Sequence, residues 1–151
     1  MGGICRVSRK DAKTQKRGHR LSVDLETLAK ITVDCGFQIH KDIGPGLLES
    51  AYELLLAESL KAKGLSVERQ IPISVKASGI VIDNAFRADM LVEGKLLIEI
   101  KSTEQHAPVH AKQVITYLRL MELPLGLLMN FGAPTFKQGI RRIVNNYAEP
   151  H

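Results

Sequence analysis

"ADMLVEGKLLIEIKS", Ala88 to Ser102, decides the fold. Two apolar runs flank Glu93-Gly94, which reads as an antiparallel hairpin with a tight turn. Strand side chains alternate between faces, so Glu99 and Lys101 share one face while Ile98 and Ile100 share the other. Charges in such a strand need a reason, because burying a charge is costly unless it is paired or bound to a metal. Asp89 stands upstream on the partner strand, so the hairpin can bring two carboxylates together beside one ammonium. Register decides whether it does. A two-residue turn through Glu93-Gly94 would set Asp89 opposite Ile98, on the face away from Glu99. A three-residue connection, Glu93-Gly94-Lys95, with a left-handed residue at or beside Gly94, sets Asp89 directly opposite Glu99. A bulge near Asp89 would serve equally well.

Outward from this hairpin, Val67 to Lys101 is rich in Val and Ile and is broken at 77–79, 83–84 and 93–94. That pattern predicts three or four antiparallel strands. Upstream, Leu25, Leu28, Thr32, Cys35, Ile39 and Ile43 recur at helical steps from Asp24, and the "GPG" of 44–46 stops that helix. A second helix is expected from about Leu47 to Lys63, with Leu48, Ala51, Leu55 and Ala62 inward and Gly64 as its C-cap. Downstream, Pro108 suits the first turn of a third helix ending near Met121. "LPLGLLMNF" (123–131) reads as a buried strand, and "GIRRIVNNY" (139–147) as a short element of either type. The order of elements predicts an α/β sandwich around a mixed sheet.

The chain has 151 residues, 44% of them hydrophobic and 25% charged, which suits one compact domain. The expected organisation is a basic flexible leader (1–23), a domain (24–147) and a short tail (148–151). Apolar runs are too short to cross a bilayer, and the first 20 residues have no apolar segment of the signal-peptide kind, which points to a cytoplasmic protein. Cys5 and Cys35 are too few for a disulfide framework or a cysteine-ligated metal, and Cys35 reads as a small buried hydrophobe. The net charge of +5 is uneven: residues 1–20 hold seven of the 21 Lys and Arg but only Asp11 among the 16 acids. Such an arm would add non-specific nucleic-acid affinity through counterion release, while a solvated leader or a mis-assigned start reads equally well.

Two convergent carboxylates with a backbone carbonyl make a hard-oxygen site suited to Mg²⁺ or Mn²⁺. Such an ion activates water and offsets charge on a phosphodiester, and a nearby lysine can orient that water or stabilise the phosphorane oxygens. The plain alternative is a Glu99–Lys101 or Asp89–Lys101 ion pair at a sheet rim. No Ser-His-Asp or Cys-His arrangement, phosphate-binding glycine loop or dinucleotide fingerprint competes for the site.

Asp89 followed by Glu99-Ile100-Lys101 resembles the D…E-x-K core of the PD-(D/E)xK nuclease superfamily. "GLLESAY" (46–52) is similar to the signature of its GxxExxY family, and "VERQIPI", "FRAD", "PVHAKQ" and "LGLLMNFG" extend the similarity over Asp24 to Val144. The resemblance implies a restriction-endonuclease-like core, a mixed sheet of about four strands flanked by helices, and Mg²⁺-dependent cleavage of nucleic acid. It implies a metal held by Asp89, Glu99 and the Ile100 carbonyl, with Lys101 catalytic. Glu49 is carried over as a further acid, with Tyr52 as structural support and Glu53 open. Gln113 and Tyr117 resemble a Q-x-x-x-Y pair that lies beside the metal in exonuclease-type relatives. Arg87, two residues before Asp89, and His110, on the Gln113 side of its helix, are candidates for substrate contact. His19, His40 and His106 read as packing or surface histidines. Asp89, Glu99, Lys101, Glu49 and Gln113 are thus expected to converge on one side of the sheet.

The favoured function is a metal-dependent nuclease acting in repair, recombination or defence, on DNA in preference to RNA. The alternative is a nucleic-acid- or partner-binding module of the same fold without turnover. An edge strand or exposed helix could pair two copies as a homodimer, though no heptad marks the interface.

Overall fold

The computed structural model describes residues 22–148; the basic leader up to residue 21 and the last three residues of the tail, Cys5 and His19 among them, lie outside the described residues. Helix α1 (Leu25–Ile43) starts where the Asp24 carboxylate accepts the Thr27 N–H at 2.8 Å. Its inner face is Leu28, Ala29, Thr32, Cys35 and Ile39, as the periodicity predicts, except that Ile43 is exposed. Buried Thr32 satisfies its hydroxyl on the Leu28 carbonyl at 2.8 Å. Helix α2 (Glu49–Ala62) ends in a Schellman motif: the Gly64 N–H bonds to Lys61, the Leu65 N–H to Leu60, and Gly64 has φ +84°.

The inner face of α2 differs from expectation. Tyr52, Glu53, Leu56, Ala57 and Leu60 are buried, while Leu48 (78% exposed) and Leu55 face outward. The helix carries two apolar stripes, and the deeper packing goes to the one with the aromatic ring. Tyr52 stacks on Phe131 with centroids 4.5 Å apart, and its hydroxyl donates to the Gly44 carbonyl and accepts the Leu47 N–H. The 44–47 loop, between α1 and α2, is thereby pinned.

Five strands follow in one sheet: β1 (Val67–Ala77), β2 (Ile80–Val92), β3 (Leu96–Lys101), β4 (Leu125–Asn130) and β5 (Ile140–Val144), adjacent in chain order. Helix α3 (Pro108–Met121) is the crossover that makes β3 and β4 parallel, and every other neighbouring pair is antiparallel. A one-turn helix α4 (Phe136–Gly139) leads into β5. The sheet has one strand more than the four expected because 140–144 adds an edge strand. Residues 83–84 are no strand boundary either. They sit in an irregularity of β2 opposite Ser74, with Asn84 at φ +54°, because a bulge and a turn ask for the same residue types.

Both faces of the sheet are covered. Met90, Val92, Ile98, Ile100, Leu127 and Met129 pack under α1 and α2; Ala88, Leu91, Leu97 and Leu128 pack under Val114, Tyr117 and Leu118 of α3. This double burial explains why β3 and β4 read as nearly continuous apolar runs. Among the described residues no helix is long and apolar enough to cross a membrane.

The far ends of β3 and β4 are tied by buried Asn130, whose Oδ1 accepts the N–H groups of Thr103 and Gly132, both at 3.0 Å. A Cβ on Gly132 would collide with the Thr103 backbone. Gly132→Ala is therefore expected to lower stability by about 3 kcal/mol, read as a fall in the urea midpoint; an unchanged midpoint would show that the two loops can part freely.

Candidate functional site

The connection between β2 and β3 has Val92 paired with Leu96, leaving the three residues Glu93, Gly94 and Lys95 between the strands. Glu93 (φ +54°) and Gly94 (φ +66°) are both left-handed. The Glu93 carboxylate also accepts the backbone N–H and hydroxyl of Ser66, at 2.6 and 3.0 Å. The pairing continues through Leu91–Leu97 and ends at Met90–Ile98. One step further along this register lie Asp89 and Glu99.

At that step the side chains take over from the backbone ladder. The Asp89 N–H donates to Glu99 Oε2 at 2.7 Å, and the Ile100 N–H donates to Asp89 Oδ2 at 2.8 Å. Each carboxylate accepts a backbone donor of the opposite strand, so the two acids are locked side by side where β2 and β3 part. Neither Asp89 Oδ1 nor Glu99 Oε1 accepts a hydrogen bond from a described residue.

Lys101, two residues beyond Glu99, reaches a different partner from the one an ion pair would require. Its Nζ donates to Gln113 Oε1 at 3.2 Å, and Gln113 Nε2 donates to the Tyr117 hydroxyl at 2.9 Å. Tyr117 is buried and packs against Phe86 with centroids 4.7 Å apart. Among the described residues no ion pair within 4 Å joins Lys101 to Asp89 or Glu99. A Gln–Tyr pair one helical turn apart on α3 thus fixes the ammonium near the acids without neutralising them.

Burial governs the charge state of these acids. The Glu99 carboxyl, 2% exposed, is pushed up from 4.5 to about 8, chiefly by loss of solvent and then by the charge of Asp89. Asp89 is pushed up from 3.8 to about 6, again mainly by burial, with the Ile100 N–H and Lys101 acting against the rise. The Tyr117 hydroxyl is raised by burial and by Glu99. His110 is held below its ordinary value, first by burial and then by Lys101 and His106, with Glu49 opposing.

The other sequence candidates spread around this pair. Glu49 is exposed in the first turn of α2, and its charge is felt at Asp89 and His110. Arg87 is exposed on β2, opposite Pro72. His110 is half-buried near Lys101, with its Nδ1 enclosed and without a hydrogen-bond partner among the described residues. His40 bonds the Ala133 carbonyl at 3.0 Å and His106 the Gln138 carbonyl at 3.2 Å, as packing histidines do. Cys35 is buried. The residue that reasoning from sequence undervalued is Glu53: it is buried, paired with Arg69 and Gln70, and its charge raises both Asp89 and Glu99. The available signal was its place one turn after Glu49 on the Tyr52 side of α2.

A hard divalent cation fits what the site offers. Burial holds back the ionisation of buried Glu99 and half-buried Asp89, the Asp89 charge adds to this at Glu99, and each carboxylate keeps one oxygen without a donor among the described residues. Among the described residues no three His, Cys, Asp or Glu side chains form a complete cage. Water and phosphate oxygens would have to complete the shell, which is the habit of Mg²⁺.

The sequence matches a family model described as the PD-(D/E)XK nuclease superfamily over residues 26–143. A search of curated proteins found no match. Among solved structures, one titled "Crystal structure of SSO0001" aligns at 16% identity with a TM-score of 0.40, covering 80% of this chain and 79% of that chain. A likeness at that level bears on neither activity nor site.

Proposed function

The chain belongs to the PD-(D/E)XK nuclease superfamily, and from that premise we propose that it is a divalent-metal-dependent nuclease of the GxxExxY branch that hydrolyses phosphodiester bonds, in DNA in preference to RNA. The observation that carries this reading is the crossed pair of carboxylate-to-amide bonds between Asp89 and Glu99–Ile100, beside a lysine held off both acids. An ion pair built for stability would place Lys101 against a carboxylate. Here Gln113 holds it at the rim instead.

In this reading Asp89, Glu99 and the Ile100 carbonyl would hold Mg²⁺ or Mn²⁺. The bound ion would supply an activated water and offset the charge growing on the phosphate. Lys101 presents a proton donor to the attacking water or to the non-bridging phosphate oxygens, where a fixed charge stabilises the transition state. Gln113 sets the position of Nζ, and Tyr117 sets Gln113. His110, with its proton affinity lowered, is a neutral hydrogen-bonding group for the substrate at neutral pH. Arg87 is free to meet a phosphate beyond the acids, and Glu49 adds negative charge on the α2 side. The basic residues before Leu21 add affinity for the phosphate backbone. Repair, recombination and defence are the processes that use such an activity in the cytoplasm, and a homodimer would present two sites to a duplex.

Incubating purified protein with labelled single-stranded, duplex and branched DNA and with RNA, each in Mg²⁺, Mn²⁺ or EDTA, tests this directly. Cleavage of at least one DNA with metal and none with EDTA is expected. Binding without cleavage in every arm would favour the non-catalytic module.

A further inference from the structure

We propose that Glu53 is a positioning residue that holds Gln70 of β1 in the left-handed conformation which leaves Asp89 unpaired and available to the site; the link to catalysis rests on the nuclease reading, the structural link does not. Asp89 is left out of both neighbouring ladders. On the β3 side pairing ends at Met90–Ile98, and on the β1 side Arg69 pairs with Met90 and Ile71 with Ala88 while no Gln70–Asp89 pair is made. Gln70 takes φ +53° within β1, an uncommon conformation for a residue with a side chain and one that costs energy unless its contacts favour it. Those contacts come from Glu53. Its Oε2 accepts Arg69 Nε at 2.9 Å and its Oε1 accepts Gln70 Nε2 at 2.8 Å, so one buried carboxylate of α2 grips two consecutive residues of β1. Glu53 is 4% exposed, whereas Gln70 lies at the surface. The buried end of the contact is the anchor and the exposed end is the part held.

If the grip is lost, Gln70 can relax to extended backbone, which would pair β1 with Asp89 and draw that residue away from Glu99 and Ile100. A merely structural Glu53–Arg69 ion pair predicts no such local consequence. The difference is readable in amide hydrogen exchange of uniformly labelled protein in EDTA. In Glu53→Ala the Asp89 and Ile100 amides should exchange at least tenfold faster relative to the Ile98 and Leu127 amides of the same sample. Gln70→Gly in the Glu53→Ala background should restore their protection, because glycine takes positive φ unaided. Should Glu53→Ala fail to fold, Gln70→Val provides the same reading at an exposed position, since a β-branched residue resists positive φ. In assays, kcat should fall in Glu53→Ala and recover in the double variant with KM little changed. Asp89 and Ile100 amides that keep pace with the core in Glu53→Ala or Gln70→Val, or that glycine fails to rescue, would overturn the proposal. Absence of cleavage in the wild type would remove only the nuclease reading, because the exchange experiment needs no activity.

Discussion

Replacing Glu99 with glutamine is expected to lower Mg²⁺-dependent cleavage by at least about 10³-fold while leaving the protein folded and, at pH 8 without metal, more stable than wild type. The amide oxygen still accepts the Asp89 N–H, so the local bond survives. What disappears is a negative charge that burial and Asp89 both oppose. Alanine should abolish cleavage equally but leaves that N–H without an acceptor, at a cost of roughly 1–3 kcal/mol. Lys101→Ala should bring a loss of about 10²–10³-fold with little change in stability, because its partner is the neutral Gln113 and not an acid. Severe unfolding of Lys101→Ala would instead mark these charges as a structural ion-pair cluster.

The second large effect is a pH dependence that metal should reverse. Asp89 and Glu99 hold their protons more tightly in the folded chain, at about 6 and about 8, than at their ordinary 3.8 and 4.5. A raised carboxylate contributes stability that is fully present below its unfolded value and is lost as pH rises through its folded value. The metal-free protein should therefore weaken by a few kcal/mol between about pH 5 and pH 8. Mg²⁺ binds the ionised pair, so the rise in melting temperature it causes should grow over the same interval. Glu99→Gln should flatten both curves. Thermal scans in EDTA and in Mg²⁺ at several pH values check this; identical pH profiles for wild type and Glu99→Gln would show that Glu99 is not under this strain.

The hairpin was the most legible part of the molecule. Two apolar runs, one glycine and strand alternation leave two registers, and without a bulge near Asp89 only the three-residue connection brings Asp89 and Glu99 together. Gln113 and Tyr117 were legible as neighbours from their four-residue spacing on a helix, but the partner of Lys101 was not, because that contact joins β3 to α3. The buried face of α2 was hidden for a related reason. Both stripes are apolar, and the buried one contains a glutamate whose partners, Arg69 and Gln70, come from β1. Periodicity penalises Glu53 for a charge that the tertiary structure satisfies. The positive φ of Gln70 likewise has no local signature, since glutamine has no preference for that conformation. The fifth strand escaped because 140–144 is short and amphipathic, and pairing with β4 decides its type.

On the nuclease reading, Asp89 and Glu99 together would hold a divalent cation. Calorimetric titration of Mn²⁺ into the wild type, Glu99→Gln and Asp89→Asn at pH 8 tests it without reference to any substrate. Wild type should bind Mn²⁺ with a defined stoichiometry, and each single replacement should weaken that binding by more than about 100-fold, beyond what a lost supporting contact costs. Equal Mn²⁺ binding by all three proteins, or none by the wild type, would contradict it.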